Sequence, residues 1–148
     1  MTRVSMNRPR ILIADDDKHY LLAVSLRLEQ AGYHVIQARD GQTAVAVARR
    51  ARPDLLILDV HMPGADGFSS LRLMDDHPSL RSLPVIYVTG DRTEETANQA
   101  ESHGALAVLQ KPVDMDELLE TIRLLSGRDW PCGIIPQNTN TDERREVA

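Results

Sequence analysis

Two adjacent acids, Asp15 and Asp16, follow the apolar run ILIA; a third, Asp59, follows LLIL; and a lysine, Lys111, follows LAVLQ just before Pro112. Each charge stands at the end of an apolar run of strand length. If the runs lie side by side in one sheet, three carboxylates and one ammonium converge on a single edge. Neighbouring carboxylates repel, by about 4 kcal/mol at 4 Å with an effective dielectric near 20, so a cation is needed among them. A hard divalent ion suits such a set, because Mg²⁺ takes a few carboxylates together with water and phosphate oxygens. An Asp in this company can also act as a nucleophile and form an acyl phosphate. The metal and the lysine would then neutralise charge on the transferring phosphoryl group. Thr89, closing the run Pro84–Val88 before Gly90, could donate its hydroxyl to a phosphoryl oxygen. The plainer alternatives are a helix cap for Asp17, whose position favours that role, and a turn cap for Asp59. A lysine at the end of a buried strand is poorly explained as a solvated charge, since an unpaired buried charge is costly.

The elements that must position these groups are legible. Arg10–Ala14, Leu55–Leu58 and Val85–Val88 are continuous apolar runs, with weaker strands at Tyr33–Ala38 and Ala105–Leu109. Continuous rather than alternating runs predict strands covered on both faces, hence a parallel sheet. Between them lie helical stripes: Leu21, Val24 and Leu28, closed by Gly32; Ala44, Val47, Ala48 and Ala51; and Met115, Leu118, Leu119 and Ile122 at i, i+3, i+4, i+7 spacing. Asp114 with Glu117 forms a capping-box pattern, and Gly127 is placed to end that helix. Thr93 followed by Glu94 and Glu95 predicts a helix N-terminus, with Gly104 closing it. Five strands alternating with five helices imply right-handed crossovers and a doubly wound α/β sheet. Ligands of such sheets bind beyond the carboxyl ends of the strands. That rule places Asp15, Asp16, Asp59, Thr89 and Lys111 on one side.

Size and composition narrow the classes further. The 148 residues suit one domain. A hydrophobic fraction of 42% with only 3% aromatics requires an aliphatic core and offers no stacking platform for bases. A net charge of −5 argues against direct binding of nucleic acid or anionic lipid. One cysteine, Cys132, excludes an internal disulfide framework and fits a reducing compartment. No apolar run reaches the roughly 18 residues of a membrane span, so a soluble cytoplasmic protein is expected. Residues 1–8 are expected to be a flexible N-terminus and residues 127–148 a flexible tail or the start of a linker, in which Trp130, Ile134 and Ile135 are the sticky points.

The strings ILIADDD, LLILDVHMPGADG, PVIYVTG and LQKP, in this order and spacing, resemble the receiver domain of two-component response regulators, the CheY-like superfamily. Each string alone is weak; the set is specific and spans about residues 9–126. The resemblance implies a flavodoxin-like five-stranded parallel sheet of order 2-1-3-4-5, an order for which chemotaxis receivers are a standing example. It implies that Asp59 is the phosphoacceptor. Asp16 and Asp59 would ligate Mg²⁺ directly, Asp15 mostly through water, and the backbone carbonyl of His61 would be a further ligand. Thr89 would bond a phosphoryl oxygen, Lys111 would pair with the phosphoryl group, and Lys111-Pro112 would be cis. His61 and Asp91 occupy positions where the family tunes dephosphorylation. The implied donor is a sensor histidine kinase or a histidine phosphotransfer protein, the output is binding of a downstream protein, and homodimerisation is open. The family commonly carries Tyr or Phe three residues before the lysine as a rotamer switch; here Val108 stands there. A muted or rerouted change on the surface of the fourth helix, fifth strand and fifth helix follows from that. His19, His34, His77 and His103 show no zinc spacing and are expected at the surface.

Three other readings compete. A Mg²⁺-dependent phosphatase with an aspartyl nucleophile would place its acids at Asp15 and Asp17, but would need a cap or lid for which the chain has little room. A degenerate receiver that only binds partners is opposed by the complete acidic set with Thr89 and Lys111. A flavin protein on the same fold lacks a phosphate loop after the first strand.

Overall fold

The computed structural model describes residues 8–62, 67–80, 83–90, 93–102 and 104–129. Five strands, β1 (Arg10–Ala14), β2 (His34–Ala38), β3 (Leu55–Asp59), β4 (Val85–Thr89) and β5 (Ala107–Gln110), form one sheet in the order β2-β1-β3-β4-β5. All four pairings are parallel. Five helices connect or follow them: α1 (Lys18–Gln30), α2 (Gly41–Ala51), α3 (Gly67–Asp75), α4 (Glu94–Ser102) and α5 (Met115–Asp129), with a short 3₁₀ turn at Pro78–Leu80. This is a flavodoxin-like doubly wound architecture, and the expected strand order is the observed one.

The two sheet faces carry separate cores. Ile11, Ile13, Leu55, Ile57, Ile86, Val88 and Leu109 pack with Leu21, Val24 and Leu28 of α1 and Leu118 and Ile122 of α5. Leu12, Ala14, Leu56, Leu58, Val85 and Tyr87 pack with Ala44 and Ala48 of α2, Phe68 and Met74 of α3, Leu80 and Ala100. Burial on both faces is why β1, β3 and β4 read as unbroken apolar runs. The edge strands β2 and β5 are only partly buried, which is why their signals are weaker.

The helix ends obey local chemistry. Asp17 caps α1, its Oδ1 accepting from the backbone N–H groups of His19 (3.0 Å) and Tyr20 (3.2 Å). Asp40 caps α2 through the N–H of Thr43 at 2.7 Å, Thr93 caps α4 through that of Thr96 at 3.2 Å, and Asp114 caps α5 through those of Asp116 and Glu117. Gly32 and Gly104 take positive φ of 106° and 81° in the turns that close α1 and α4, where a Cβ is disfavoured.

Four expectations shift, the first being β2, which begins at His34 because Tyr33 donates to the carbonyl of Leu28 in the turn closing α1. The helix α5 runs through Gly127 to Asp129; one interior glycine costs about 1 kcal/mol against alanine, too little to stop a helix held by a buried stripe. The helical part of the chain therefore continues two residues past Gly127. The strand β5 begins at Ala107 rather than Ala105, because Ala105 donates to the carbonyl of Ala100 and so still belongs to the turn closing α4. The strands β3 and β4 each extend one residue, to take in Asp59 and Thr89. Among the described residues no helix is long and apolar enough to cross a membrane. Residues 1–7, Asp91, His103, Trp130, Cys132, Ile134 and Ile135 lie outside the described residues.

Candidate functional site

Strand register brings the charges together. Ala14 stands opposite Leu58 on β1 and β3, so the residues that follow, Asp15 and Asp59, emerge side by side. Thr89 stands opposite Gln110 on β4 and β5, and the N–H of Lys111 donates to the Thr89 carbonyl at 2.9 Å. Parity then sets the direction. Asp59 alternates with Ile57, and Lys111 with Leu109, so both follow residues that face α1 and α5.

One oxygen of each buried acid is held by backbone. Asp15 Oδ1 accepts from the N–H of Asp17 at 2.9 Å, and Asp59 Oδ1 accepts from that of His61 at 3.2 Å. The other oxygens meet the lysine: Lys111 Nζ lies 2.7 Å from Asp15 Oδ2 and 3.4 Å from Asp59 Oδ2. The shorter contact is an ion pair by charge and distance; its direction does not meet that of a hydrogen bond. Asp15 and Asp59 are only 1% and 5% exposed, Thr89 is buried, and Asp16 is exposed at the rim. Ligand oxygens of Asp15, Asp16 and Asp59 all lie within 4.8 Å of one another. Oxygens across a hard cation stand about 4–5 Å apart, twice a metal–oxygen bond, so the donor set fits Mg²⁺ or a similar ion. The charge also fits: three carboxylates against one ammonium leave two negative charges uncompensated.

Protonation follows from the same crowding. Burial, and then the charge of Asp15, push the Asp59 carboxyl above its ordinary value, with Lys111 and the His61 N–H pulling the other way. Burial pulls the Lys111 ammonium down, but the carboxylates of Asp15 and Asp59 outweigh it and hold its value above 10.5. The lysine stays charged at neutral pH.

Sequence reasoning missed Tyr20. Its ring lies under the ammonium, 4.9 Å from Lys111 Nζ to the ring centroid, a cation–π distance. Its hydroxyl is buried without a hydrogen-bond partner among the described residues. Burial, and then the charges of Asp15 and Asp59, push its pKa far above the ordinary phenol value, so the phenol stays neutral. The acidic triplet ends in the cap of α1, which puts the first turn of α1 near the strand ends, but which side of the sheet it covers follows only from register and crossovers. Tyr20 and Lys111 line one end of a groove of about 570 Å³ between α1 and the start of α5, with Val24, Arg27, Val113 and Met115.

The other expected residues are placed as follows. The Lys111-Pro112 peptide is cis. His61 is exposed, beside Asp59 through its own N–H. Val108 has the opposite parity to Leu109 and is 38% exposed. His19 and His34 are exposed, while His77 is half-buried beneath the 3₁₀ turn, its carbonyl accepting from Leu80.

Comparisons with known proteins agree with this geometry. The family model described as the response regulator receiver domain matches residues 11–123. The protein PilH of Pseudomonas aeruginosa is 37% identical over 113 residues, covering 76% of this chain and 93% of PilH. The response regulator PleD of Caulobacter vibrioides is 38% identical over 117 residues, covering 79% of this chain but only 26% of PleD. Among solved structures, the chemotaxis response regulator CheY4 of Vibrio cholerae superposes with a TM-score of 0.75 at 31% identity, covering 80% of this chain and 98% of that one.

Proposed function

The chain belongs to the response regulator receiver domain family, and from that premise we propose that it is a Mg²⁺-dependent phosphorylation switch whose phosphoacceptor is Asp59. The observation that carries the reading is the position of one ammonium, 3.4 Å from Asp59 and 2.7 Å from Asp15, at the ends of separate strands. The donor is the phosphohistidine of a sensor histidine kinase or a histidine phosphotransfer protein. An Asp59 oxygen attacks phosphorus, the phosphorus–nitrogen bond to the imidazole breaks, and an acyl phosphate forms. Receiver domains are in general phosphoacceptors rather than enzymes acting on other substrates, and the output here is binding of a downstream protein.

Each residue has a task. Asp59 Oδ1 is fixed by the His61 N–H, which leaves Oδ2 on the ammonium side. Lys111 places its positive charge where charge on the phosphoryl oxygens develops. Thr89, whose backbone is tied to Lys111, offers a hydroxyl from the neighbouring strand. Asp15, Asp16 and Asp59, with the carbonyl of His61, would hold Mg²⁺. When bound, that ion offsets the negative charge of the carboxylates and of the incoming phosphoryl group. The working domain is residues 9–126, with the last turn of α5 running on to Asp129, and the compartment is the cytoplasm.

Asp15 is the weaker nucleophile candidate. It is the more deeply buried acid, and the ammonium holds it more closely, at 2.7 Å against 3.4 Å for Asp59. Treatment with acetyl phosphate, with and without Mg²⁺, followed by intact-mass measurement and peptide mapping, tests the reading. One phosphoryl group on the Asp59 peptide, only with Mg²⁺, is expected. Label on Asp15 would establish the phosphatase-like alternative. No label in the presence of Mg²⁺ would leave a binding-only receiver.

A further inference from the structure

We propose that Tyr20 is the positioning residue for Lys111 and the aromatic group through which that lysine's displacement reaches the molecular surface. The inference rests on the phosphoacceptor reading above and adds the route by which phosphorylation is read out.

Three observations carry it. First, the lysine is held by three groups: Asp15 at 2.7 Å, Asp59 at 3.4 Å and the face of the Tyr20 ring at 4.9 Å. The carboxylates attract the ammonium, and the ring keeps it from leaning out into the groove. Second, the ring rests inward although its hydroxyl is buried there without a partner among the described residues. A buried hydroxyl without a hydrogen bond is unfavourable, so the inward position depends on the ring's packing and on the cation above it. An outward rotation would give the hydroxyl to water. Third, strand parity gives α1 this role. Lys111 faces the α1–α5 side with Leu109, whereas Val108 points to the other side and is 38% exposed. The aromatic group in contact with the lysine is therefore on α1, not on β5.

When a phosphoryl group forms on Asp59, new anionic oxygens draw the ammonium towards β3. The ring then loses its cation, and the balance favours the outward position. Tyr20 lines the groove between α1 and α5, so its rotation reshapes that surface. The ring is thus an element with two positions, biased by the lysine's location.

Fluorine NMR of the full chain labelled with fluorotyrosine tests this. Tyr20→Phe identifies the Tyr20 signal, and Tyr33, buried at the far end of α1, is the internal control. On adding Mg²⁺ with beryllofluoride, the Tyr20 signal is expected to move while that of Tyr33 stays. In parallel, Tyr20→Leu is expected to slow acetyl phosphate labelling of Asp59 by about three- to tenfold, the effect commanded by a cation–π contact of this kind, with Tyr20→Phe restoring the rate. If backbone amides beside Asp59 shift but the Tyr20 signal does not, or if Tyr20→Leu labels as fast as the native chain, the proposal is wrong and the phosphoacceptor reading survives. If beryllofluoride moves no signal and Asp59 takes no label, both fall together.

Discussion

Asp59→Asn should make the protein more stable when no divalent ion is present. Lys111 attracts Asp59 across 3.4 Å with about 5 kcal/mol at an effective dielectric of 20, while Asp15, within 4.8 Å, repels it by about 3.5 kcal/mol. Asp16 adds repulsion, reduced by its exposure to about 1 kcal/mol or less. The charge terms nearly cancel, so the burial cost of the ionised carboxyl decides the sign, and it is unfavourable. Removing the charge does not orphan the ammonium, which keeps Asp15 at 2.7 Å. The asparagine loses one polar contact, worth about 1 kcal/mol. With a burial cost of about 3 kcal/mol for the ion, the net gain expected is about 1–2 kcal/mol, or about 1 M in the urea midpoint for a slope near 1.5 kcal/mol/M. The pH dependence has a definite sign. The folded-state value of Asp59 is raised above 3.8, so its penalty is absent at lower pH, grows between the two values and is complete above the folded one. The advantage of Asp59→Asn should therefore shrink as the pH falls from about 7.5 towards 4. Magnesium works against the variant: at ten times its dissociation constant it stabilises the native chain by about 1.4 kcal/mol, and Asp59→Asn, lacking one ligand charge, gains less. Urea melts at two pH values, with chelator or with Mg²⁺, check all three statements. A variant less stable than the native chain in chelator at neutral pH would refute the reasoning.

Asp16→Ala should abolish most of the thermal shift produced by millimolar Mg²⁺, because Asp16 is the rim ligand of the acidic set; an undiminished shift in a thermal melt would count against the metal assignment. Lys111 holds a value raised above 10.5, so its contribution is intact below that pH and is lost as the pH climbs through the higher folded-state value. Alkaline melts should show that loss, and Lys111→Met should lack it while costing about 2–3 kcal/mol at neutral pH, since it strands two buried carboxylates. Asp114→Ala removes the cap of α5 and should lower stability by about 1 kcal/mol in urea. Amide shifts on adding Mg²⁺ and beryllofluoride should be small around Leu106 and Val108 and larger along α1; strong shifts across α4, β5 and α5 would restore the surface that Val108 is expected to mute.

Much of this was legible because the sheet is parallel. Strands buried on both faces need unbroken apolar runs, so Ile11–Ala14, Leu55–Leu58 and Val85–Val88 declare themselves, and the polar residue after each declares the edge. The weaker boundaries belong to β2 and β5, which lie at the edges and are covered less completely. Gly127 misled because one glycine costs only about 1 kcal/mol, too little to end a helix already anchored by Leu118 and Ile122. Tyr20 escaped for a deeper reason. Spacing tells which strand end a charge occupies but not which helix stands over it. That depends on parity at the strand end and on which face α1 covers, and both emerge only when register and crossovers are known.

The same parity constrains how any signal can leave the site. Asp15 and Asp59 are buried, and each has one oxygen bound to a backbone N–H two residues on, so neither can move without opening a turn. Thr89 is buried and has a short side chain whose reach is limited to its own strand end. Lys111 differs: its backbone is tied to Thr89, but four methylenes separate that anchor from the charge, and the side chain is 27% exposed. Of these groups the ammonium alone can follow a change of charge on Asp59 over a distance comparable to its present contacts. What it leaves behind is the Tyr20 ring, so a new charge at β3 is felt at α1 before it is felt at β5.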